Sequence, residues 1–200
     1  MPDEPAHPSI QRVLEAAARK SVSIEVTRFD ESTHTAAEAA TALGAELGQI
    51  VKSLVFVVAA VDGPEPLLCL VSGHNRVDLA RLAAVAGGSD VRRATAREAH
   101  ELTGFSIGGI PPIGHKRPVR AIMDPDLGRY PIVWAAAGLP TAVFPVAPGT
   151  LRMLANATVA PITEQRLAVD REPEAVVMAS QAAGTMETDP TERGSALADG

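Results

Sequence analysis

Two apolar runs on either side of a turn signal constrain the fold of this chain more than any other feature. Residues 53–60 form a run rich in Val, and residues 67–72 form a second apolar run. The segment between them contains Asp62-Gly63-Pro64, which is typical of a tight turn. Short apolar runs bounded by turn signals are typical of buried strands. The pair therefore predicts an antiparallel hairpin of two buried strands.

Helical patterns alternate with further strand patterns along the rest of the chain. Thr35 with Glu38 and Thr95 with Glu98 have the spacing of capping boxes, which mark the starts of two helices. Because strands outnumber those of a plain βαβ alternation, we predict a mixed α/β fold, with a curled mixed sheet or barrel flanked by helices. The predicted helices are residues 9–20 (with Ser9 as a possible cap), 35–43, 78–85, 95–103 and 151–155, and the predicted strands are residues 24–29, 53–60, 67–72, 91, 119–123, 132–136, 142–146 and 159–162.

Length and composition predict one folded domain between two flexible tails. The chain has 200 residues, 46% of them hydrophobic, which is enough for one well-filled core. We expect a disordered tail at residues 1–8, the folded domain at residues 9–165 and an acidic flexible tail at residues 166–200. The longest apolar stretch, residues 54–61, is far shorter than the roughly 20 residues of a membrane span. Without a secretory signal pattern, the sequence predicts a cytoplasmic protein that does not contact membranes.

The net charge of −6 is concentrated at the two ends of the chain. Residues 8–165 hold 15 Lys and Arg against 15 Asp and Glu, whereas residues 166–200 hold three basic and seven acidic side chains. Within the neutral body, residues 76–120 carry eight basic and four acidic side chains. Such a segment can contact phosphates without reading sequence, although a solvated surface of mixed charge is the commoner explanation.

The segment Gly104-Phe-Ser-Ile-Gly-Gly-Ile-Pro-Pro-Ile-Gly-His115 is the most informative loop, with four glycines and two prolines between a predicted helix and a predicted strand. Glycine lets the backbone approach a ligand closely, and adjacent prolines fix the chain and remove two N–H donors. A rigid loop of this kind can present chosen amides to a developing oxyanion. A tight structural connection is the alternative. A nucleotide-binding P-loop is rejected, because His115 stands where that motif needs Lys.

Lys52 is the other candidate, since it is a lone cation at the entrance to a buried strand. There it can position a carboxylate, carbonyl or phosphate as a point charge, or it can be an ordinary lysine whose ammonium reaches solvent. Other chemistry has little support. Cys69 is a single cysteine in an apolar run, the five histidines lack partners at ligand spacing, and no Gly-x-Ser-x-Gly motif is present. The sequence therefore predicts neither a metal site nor a bound cofactor.

Three motifs in this order carry a resemblance to a known family. They are Thr33-His-Thr-Ala-Ala-Glu-Ala-Ala, then Gln49-Ile-Val-Lys-Ser-Leu-Val-Phe, then Leu102-Thr-Gly-Phe-Ser-Ile-Gly-Gly-Ile-Pro-Pro-Ile-Gly-His. Together they resemble the YbaK and prolyl-tRNA synthetase editing-domain family over residues 10–162. The resemblance implies a metal-independent deacylase acting in trans on aminoacyl-tRNA, with tRNA for proline as the expected tRNA and an aminoacyl-tRNA synthetase as a further possible partner.

The same resemblance implies roles for particular residues. Lys52 matches the family's essential lysine, and the loop matches the backbone that holds the aminoacyl ester and an attacking water. Trp134 to Phe144 resembles the family's pocket strands, but Ala135 to Ala137 and Thr141 replace residues that are Ser, His or Asp in many members, so the amino acid removed stays open among Ala, Cys, Ser and Thr. The implied catalytic residues are Lys52, Gly108, Gly109 and Pro112, and the implied substrate-binding residues are Phe29, His34, Thr35, Ile110, Pro111, His115, Ala136, Gly138 and Thr141.

Two alternatives remain open at the level of sequence. A binding module with the same fold and no catalysis would hold tRNA or a partner protein, and it would need the basic side chains of residues 76–120 to face one cleft together with Lys52. A hydrolase of small esters or amides would turn over substrates without tRNA.

Overall fold

The computed structural model describes residues 7–29, 35–60, 63–88 and 90–164. The tails predicted at residues 1–8 and 166–200, apart from His7 and Pro8, and the predicted site residue His34 lie outside these ranges. The helices are α1 (Pro8–Ala18), α2 (Ala36–Leu43), α3 (Leu79–Ala86), α4 (Ala96–Thr103) and α5 (Pro148–Ala155), and the strands are β1 (Thr27–Arg28), β2 (Val51–Ala60), β3 (Gly63–Ser72), β4 (Val91–Arg93), β5 (Arg120–Met123), β6 (Val133–Ala136), β7 (Ala142–Val146) and β8 (Thr158–Val159).

The predicted hairpin is confirmed and is longer than the apolar runs. Strands β2 and β3 are antiparallel from the pair Val51 and Ser72 to the pair Ala60 and Gly63. Lys52 is therefore the second residue of β2 rather than a residue before it.

The strands form two sheets, and the mixed α/β class is confirmed. The larger sheet has the order β4-β2-β3-β5-β8, with antiparallel pairs around β2 and parallel pairs around β5, and the smaller has the order β1-β7-β6. A single bridge between Ile50 and Trp134 joins the two. In the part of the chain that is described, the sheets do not close into a barrel, because β4 pairs only with residues 56–58 of β2.

The larger sheet is apolar on both faces, which explains the unbroken hydrophobic runs in the sequence. On β3, Leu68 and Leu70 point into the main core with α1 and the smaller sheet. Leu67, Cys69 and Val71 point to the other face and pack with Leu82 of α3 and Ile162. Successive side chains of a strand alternate between faces, so a strand covered on both sides needs apolar residues at every position.

Helix starts follow the predicted capping boxes, with one correction. The Thr35 hydroxyl accepts from the Glu38 N–H, and Thr95 and Glu98 form a complete capping box on α4. The expected cap at Ser9 is wrong: Pro8 occupies the first turn, so the cap is His7, whose ring Nδ1 accepts from the Ser9 N–H at 3.2 Å.

The strand predicted at residues 24–29 is also shorter than expected. Only Thr27 and Arg28 pair with β7, and Phe29 adds one more hydrogen bond to the Thr141 carbonyl at 2.8 Å. Alternation alone predicted the longer strand, but Val22, Ile24 and Val26 pack on the main core without a strand partner. Within the described ranges no helix has the length and hydrophobicity needed to cross a membrane.

Candidate functional site

A cavity of about 240 Å³ opens where the two sheets separate. Because β4 pairs only with residues 56–58, the edge of β2 at residues 51–54 lacks a ladder partner among the described residues, and this edge forms one wall. The other walls are formed by β6 and β7, by the start of α2, and by the loop of residues 104–115, which we call the glycine loop. The described lining residues are Thr35, Ala36, Ala39, Ile50, Val51, Lys52, Ser53, Leu54, Val55, Arg93, Ala94, Ala99, Ile107, Gly108, Ile110, Trp134, Ala136, Pro140 and Val143.

Lys52 lies in the wall of this cavity, and its ammonium group is held by the turn that follows β3. The Nζ atom donates to the Gly73 carbonyl at 2.9 Å and to the Asn75 carbonyl. The side chain is half-buried. These two hydrogen bonds fix the position of the ammonium group, whereas the ammonium of a lysine in solvent would be bonded to water instead.

A buried polar network supports the turn that holds Lys52. The Asp124 carboxylate, which is fully buried, accepts from the Asn75 side chain at 2.7 Å and from the Ser72 N–H at 3.2 Å. The Asn75 amide also donates to Asp126 at 2.8 Å. A buried carboxylate is costly unless its oxygens accept hydrogen bonds, so this network sets where the Asn75 carbonyl, and with it Lys52, can lie.

The glycine loop approaches the cavity with its backbone. Gly108 has φ +90°, a conformation that favours glycine, and a Cβ on Gly109 would lie 2.6 Å from the Leu139 carbonyl carbon. The Gly109 N–H donates to the Ser106 carbonyl at 3.1 Å. Among the described residues, the N–H groups of Gly108 and Ile110 have no such acceptor, and both residues line the cavity. The Gly108 and Ile110 N–H groups are therefore candidate donors in the cavity that Lys52 also lines.

Sequence comparison places this arrangement in a family. The profile of the family described as aminoacyl-tRNA editing domain matches residues 30–154, well over half of the chain. The chain belongs to the aminoacyl-tRNA editing domain family. This confirms the resemblance that the three motifs carry, and the described lining residues of the cavity all fall within the matched range.

Individual relatives of the editing domain agree with this. A solved structure described as a candidate trans-editing enzyme for prolyl tRNA synthetase is 48% identical, with a TM-score of 0.73, and the match covers 80% of this chain and 99% of that one. The candidate Cys-tRNA(Pro)/Cys-tRNA(Cys) deacylase EbsC of Enterococcus faecalis is 30% identical over 131 residues, 65% of this chain and 78% of the relative. The Ser/Thr-tRNA deacylase ProXp-y of Escherichia coli strain K12 is 33% identical over 84 residues, 42% of this chain and 50% of the relative.

The editing domain brings together only part of the predicted site. One cavity is lined by five of the predicted residues, namely Lys52, Gly108, Thr35, Ile110 and Ala136. The edge of β2, the glycine loop and β6 therefore meet there. The other described candidates do not line this cavity. Gly109 and Gly138 pack against backbone atoms of Leu139 and Ser9, and Phe29 bonds to the Thr141 carbonyl beside the smaller sheet. The Pro111 carbonyl contacts the His115 ring, and a separate cleft is lined by Pro112 and His115. Their roles stay predictions.

Several residues of the site carried no signal in the sequence. Ser53 follows Lys52 in the cavity wall, and its hydroxyl is a buried polar group without a hydrogen-bond partner among the described residues. Arg93 and Ile107 line the same cavity, and Ile107 is 52% exposed at its rim. A serine in an apolar run and an arginine in a mixed segment are ordinary features, so only the tertiary structure singles them out.

Arg12 of α1 holds the two ends of the glycine loop together. Its guanidinium donates to the Gly104 carbonyl at 3.1 Å and to the Gly114 carbonyl at 2.8 Å, with the Thr103 carbonyl at 3.4 Å. The same group lies over the Phe105 ring, 4.2 Å from its centroid. Arg12 is outside the residues matched by the family profile, and its place in the sequence gives no reason to select it.

His115 closes the loop from within. Its ring Nε2 lies 2.7 Å from the Pro111 carbonyl oxygen, so the neutral ring donates there, and the ring packs edge-on against Phe105. Burial lowers the pKa of His115 below its usual value of 6.5, the bond to Pro111 opposes this, and the Arg12 guanidinium lowers the pKa further. The neutral ring is therefore part of the folded loop.

The basic side chains of residues 76–120 do not share one cleft. Arg92 pairs with Glu98 at 2.6 Å and Arg97 with Glu101 at 2.8 Å. The hydrogen bonds from Arg92 and Thr95 lower the pKa of Glu98 to about 2. Arg120 donates to carbonyls at the end of α3. A binding module that relies on this whole segment facing Lys52 is therefore not supported.

Cys69 is fully buried, and burial raises its pKa to about 12. Cys69 is therefore a small core residue rather than a reactive thiol. In the described ranges no group of three or more His, Cys, Asp or Glu side chains is placed to hold a metal ion.

Proposed function

We propose that this editing domain is a trans-acting deacylase that hydrolyses the ester of mischarged aminoacyl-tRNA, with a small amino acid on tRNA for proline as its substrate. The observation that carries the proposal is the cavity in which a fixed lysine and backbone donors of the glycine loop meet. Membership of the family and the names of the relatives support the reaction class. The solved structure described as a candidate trans-editing enzyme for prolyl tRNA synthetase, which this chain covers almost completely, supports action in trans.

The cavity suits the aminoacyl group rather than the whole end of a tRNA. At about 240 Å³ it is smaller than the roughly 300–1,000 Å³ of pockets that hold drug-sized ligands. Its walls are mostly apolar, with Ala36, Ala39 and Ala136 leaving space beside the Trp134 ring. A small side chain fits this space, and the terminal ribose stays at the rim near Ile107.

Hydrolysis proceeds by addition of water to the ester carbonyl. The water oxygen bonds to the carbonyl carbon, and the negative charge that develops on the carbonyl oxygen is stabilised by the Gly108 N–H, with the Ile110 N–H as a second donor. The bond from carbon to the ribose oxygen then breaks, and the ribose oxygen takes up the proton that the attacking water has lost, which gives the free amino acid and the 3′-terminal hydroxyl of the tRNA. Because the Gly109 N–H is committed to Ser106, Gly109 contributes shape rather than a donor.

Lys52 supplies a fixed positive charge beside this reaction. Its bonds to Gly73 and Asn75 keep the ammonium from folding away, so the charge is already oriented before the substrate binds. Orientation of this kind contributes to rate because misplacing a reacting group by about 1 Å can cost roughly 100-fold.

The test is deacylation of tRNA for proline carrying Ala, Cys, Ser or Thr, measured in single-turnover experiments with the parent, Lys52→Ala and Arg97→Ala. Arg97 is an exposed residue on α4 that lines no part of the cavity, so its variant is the control. We expect release from one or two substrates, a loss of about 100-fold for Lys52→Ala, and parent rates for Arg97→Ala.

Folding must be checked separately for Lys52→Ala. Removing the ammonium leaves two carbonyls short of a donor, which costs about 1–3 kcal/mol of stability, so rates are compared where circular dichroism shows the variant folded. A folded Lys52→Ala protein with the parent rate would refute the role of the lysine. No release from any of the four substrates by the parent would refute the deacylase proposal for these amino acids.

A further inference from the structure

A second concave region is lined by the end of the glycine loop and the residues that follow it. It is an open cleft of about 380 Å³ between the last turn of α1, the end of α5 and residues 112–119. Four exposed cations line it: Arg19 and Lys20 from the end of α1, and Lys116 and Arg117 from the end of the loop. We name this region the basic cleft.

The basic cleft has no acidic side chain among its described lining residues. The ion pairs found in the described ranges involve Arg81, Arg92, Arg97 and Arg129, and none involves a cation of the cleft. Residues 8–165 carry equal numbers of basic and acidic side chains, so four cations without an acid in one concave place are a local concentration of charge. Concave surfaces lined by one sign of charge attract ligands of the opposite sign.

Helix capping explains only one of the four cations. Lys20 donates to the Met153 carbonyl at 3.2 Å, near the end of α5, which is a usual role for lysine. In the part of the chain that is described, the side chains of Arg19, Lys116 and Arg117 have no hydrogen bond or ion pair. Cations that line one cleft without partners repel one another, and an anion bound between them relieves this repulsion.

We propose that the basic cleft binds the phosphate backbone of the tRNA whose aminoacyl end enters the cavity, an inference that rests on the proposed function. Gly108 and Ile110 line the cavity, whereas Pro112 and Gly114 line the cleft. Pro112 lies four positions after Gly108, so at most about 14 Å of chain joins the two places. An RNA strand leaving the cavity reaches the cleft within a few nucleotides, because this distance corresponds to only a few backbone phosphates of a nucleic acid strand.

The chemistry of the cleft favours phosphate over bases. The chain has one Trp, one Tyr and four Phe, and none of these lines the cleft, so stacking on bases has no platform there. Lys and Arg contacts to phosphates fix the position of a nucleic acid without reading its sequence. The cleft therefore places the tRNA body and leaves the choice of amino acid to the cavity.

The first test is binding of uncharged tRNA, measured by fluorescence anisotropy over a range of salt concentrations. The variants are Arg117→Glu and Arg19→Glu with Arg117→Glu, and the control is Arg97→Glu, which makes the same change of charge outside the cleft. We expect Kd to rise about 5–10-fold for the single variant and further for the double variant, and the salt slope to fall by about 1 for each phosphate that is no longer bound. Parent affinity and parent salt slope in the double variant, or no tRNA binding by the parent, would overturn the proposal.

A second measurement separates the cleft from the deacylase reaction. An aminoacyl-adenosine, which carries the ester and the terminal ribose but no phosphate, reaches the cavity but not the cleft, so Arg117→Glu is expected to hydrolyse it at the parent rate while its KM for full-length mischarged tRNA rises and kcat stays unchanged. If neither substrate is hydrolysed but tRNA binding is lost in the variants, the cleft proposal stands and the deacylase proposal fails. Equal KM values for parent and variant on full-length tRNA would overturn the cleft proposal alone.

Discussion

Replacing Arg12 by methionine is the sharpest test of how the glycine loop is held. Methionine keeps an unbranched apolar stem on α1 but removes the guanidinium that bonds Gly104 at 3.1 Å and Gly114 at 2.8 Å and lies over the Phe105 ring. The variant therefore frees both ends of the loop without emptying the core. The control is Gln11→Met, at an exposed neighbour on the same helix whose side chain donates to Glu15 one turn further on.

The expected loss of stability follows from the hydrogen bonds and the ring contact. Hydrogen bonds that involve a charged group contribute about 1.5–3 kcal/mol each when well formed, and Arg12 is half-buried, so the lower end of that range applies to each of the two shorter bonds. The cation–π contact adds about 0.5 kcal/mol at a partly exposed site. The sum is about 3.5 kcal/mol, or ~7–14 °C in Tm for a domain of this size. Arg12→Lys keeps the charge and can reach one carbonyl, so we expect about half of this loss.

Urea unfolding measures the free energy, and amide hydrogen exchange locates the effect. The Gly109 N–H donates to Ser106 and the Lys116 N–H donates to Thr103, so these two amides report on the loop. In Arg12→Met they are expected to exchange faster than core amides such as that of Leu70. A variant that unfolds at the parent urea concentration, with parent exchange rates at both amides, would refute the reasoning, as would an equal loss in Gln11→Met.

Two further predictions concern residues next to the site. Because the folded-state pKa of His115 lies below the unfolded value of 6.5, the unfolded chain binds a proton first as pH falls, so the contribution of His115 to stability is full above about 6.5 and declines below it. The free energy of unfolding in urea, measured at pH 7 and below, should therefore decline more steeply for the parent than for His115→Gln. Equal slopes for the two proteins would contradict a lowered pKa. Ser53→Ala removes a buried hydroxyl without a partner in the described structure, so the free energy of unfolding should stay level or rise by up to about 1 kcal/mol. A clear loss of stability in Ser53→Ala would show that the hydroxyl is satisfied in the folded protein.

Most of the fold could be predicted because its signals are local. The hairpin of β2 and β3, the capping boxes of α2 and α4, and the mixed class follow from runs, turns and caps that lie within a few residues of one another. The features that could not be predicted are strand length and sheet closure, which depend on contacts with segments far away in the chain. Residues 24–29 alternate like a strand, yet only Thr27 and Arg28 find a partner in β7, and the sheet stays open because β4 ends after three pairs.

The candidate site divides in the same way. Lys52 and Gly108 could be selected from their motifs, and the structure brings both to one cavity. Ser53 and Arg93 could not be selected, since neither stands out from its neighbours in the chain. Their significance depends on the gap between the two sheets, which no local pattern describes.

The sequence by itself determined most of the strands and helices and to which family the chain belongs, since these depend on residue types at short spacing. The tertiary structure alone decided what holds the loop and where charge collects. Arg12 contacts carbonyls some 90 to 100 positions away in the chain, and the basic cleft joins the end of α1 to residues 116 and 117. Contacts between such distant segments arise only when the whole core has packed, because hydrophobic burial, not local pattern, fixes how helices and sheets meet.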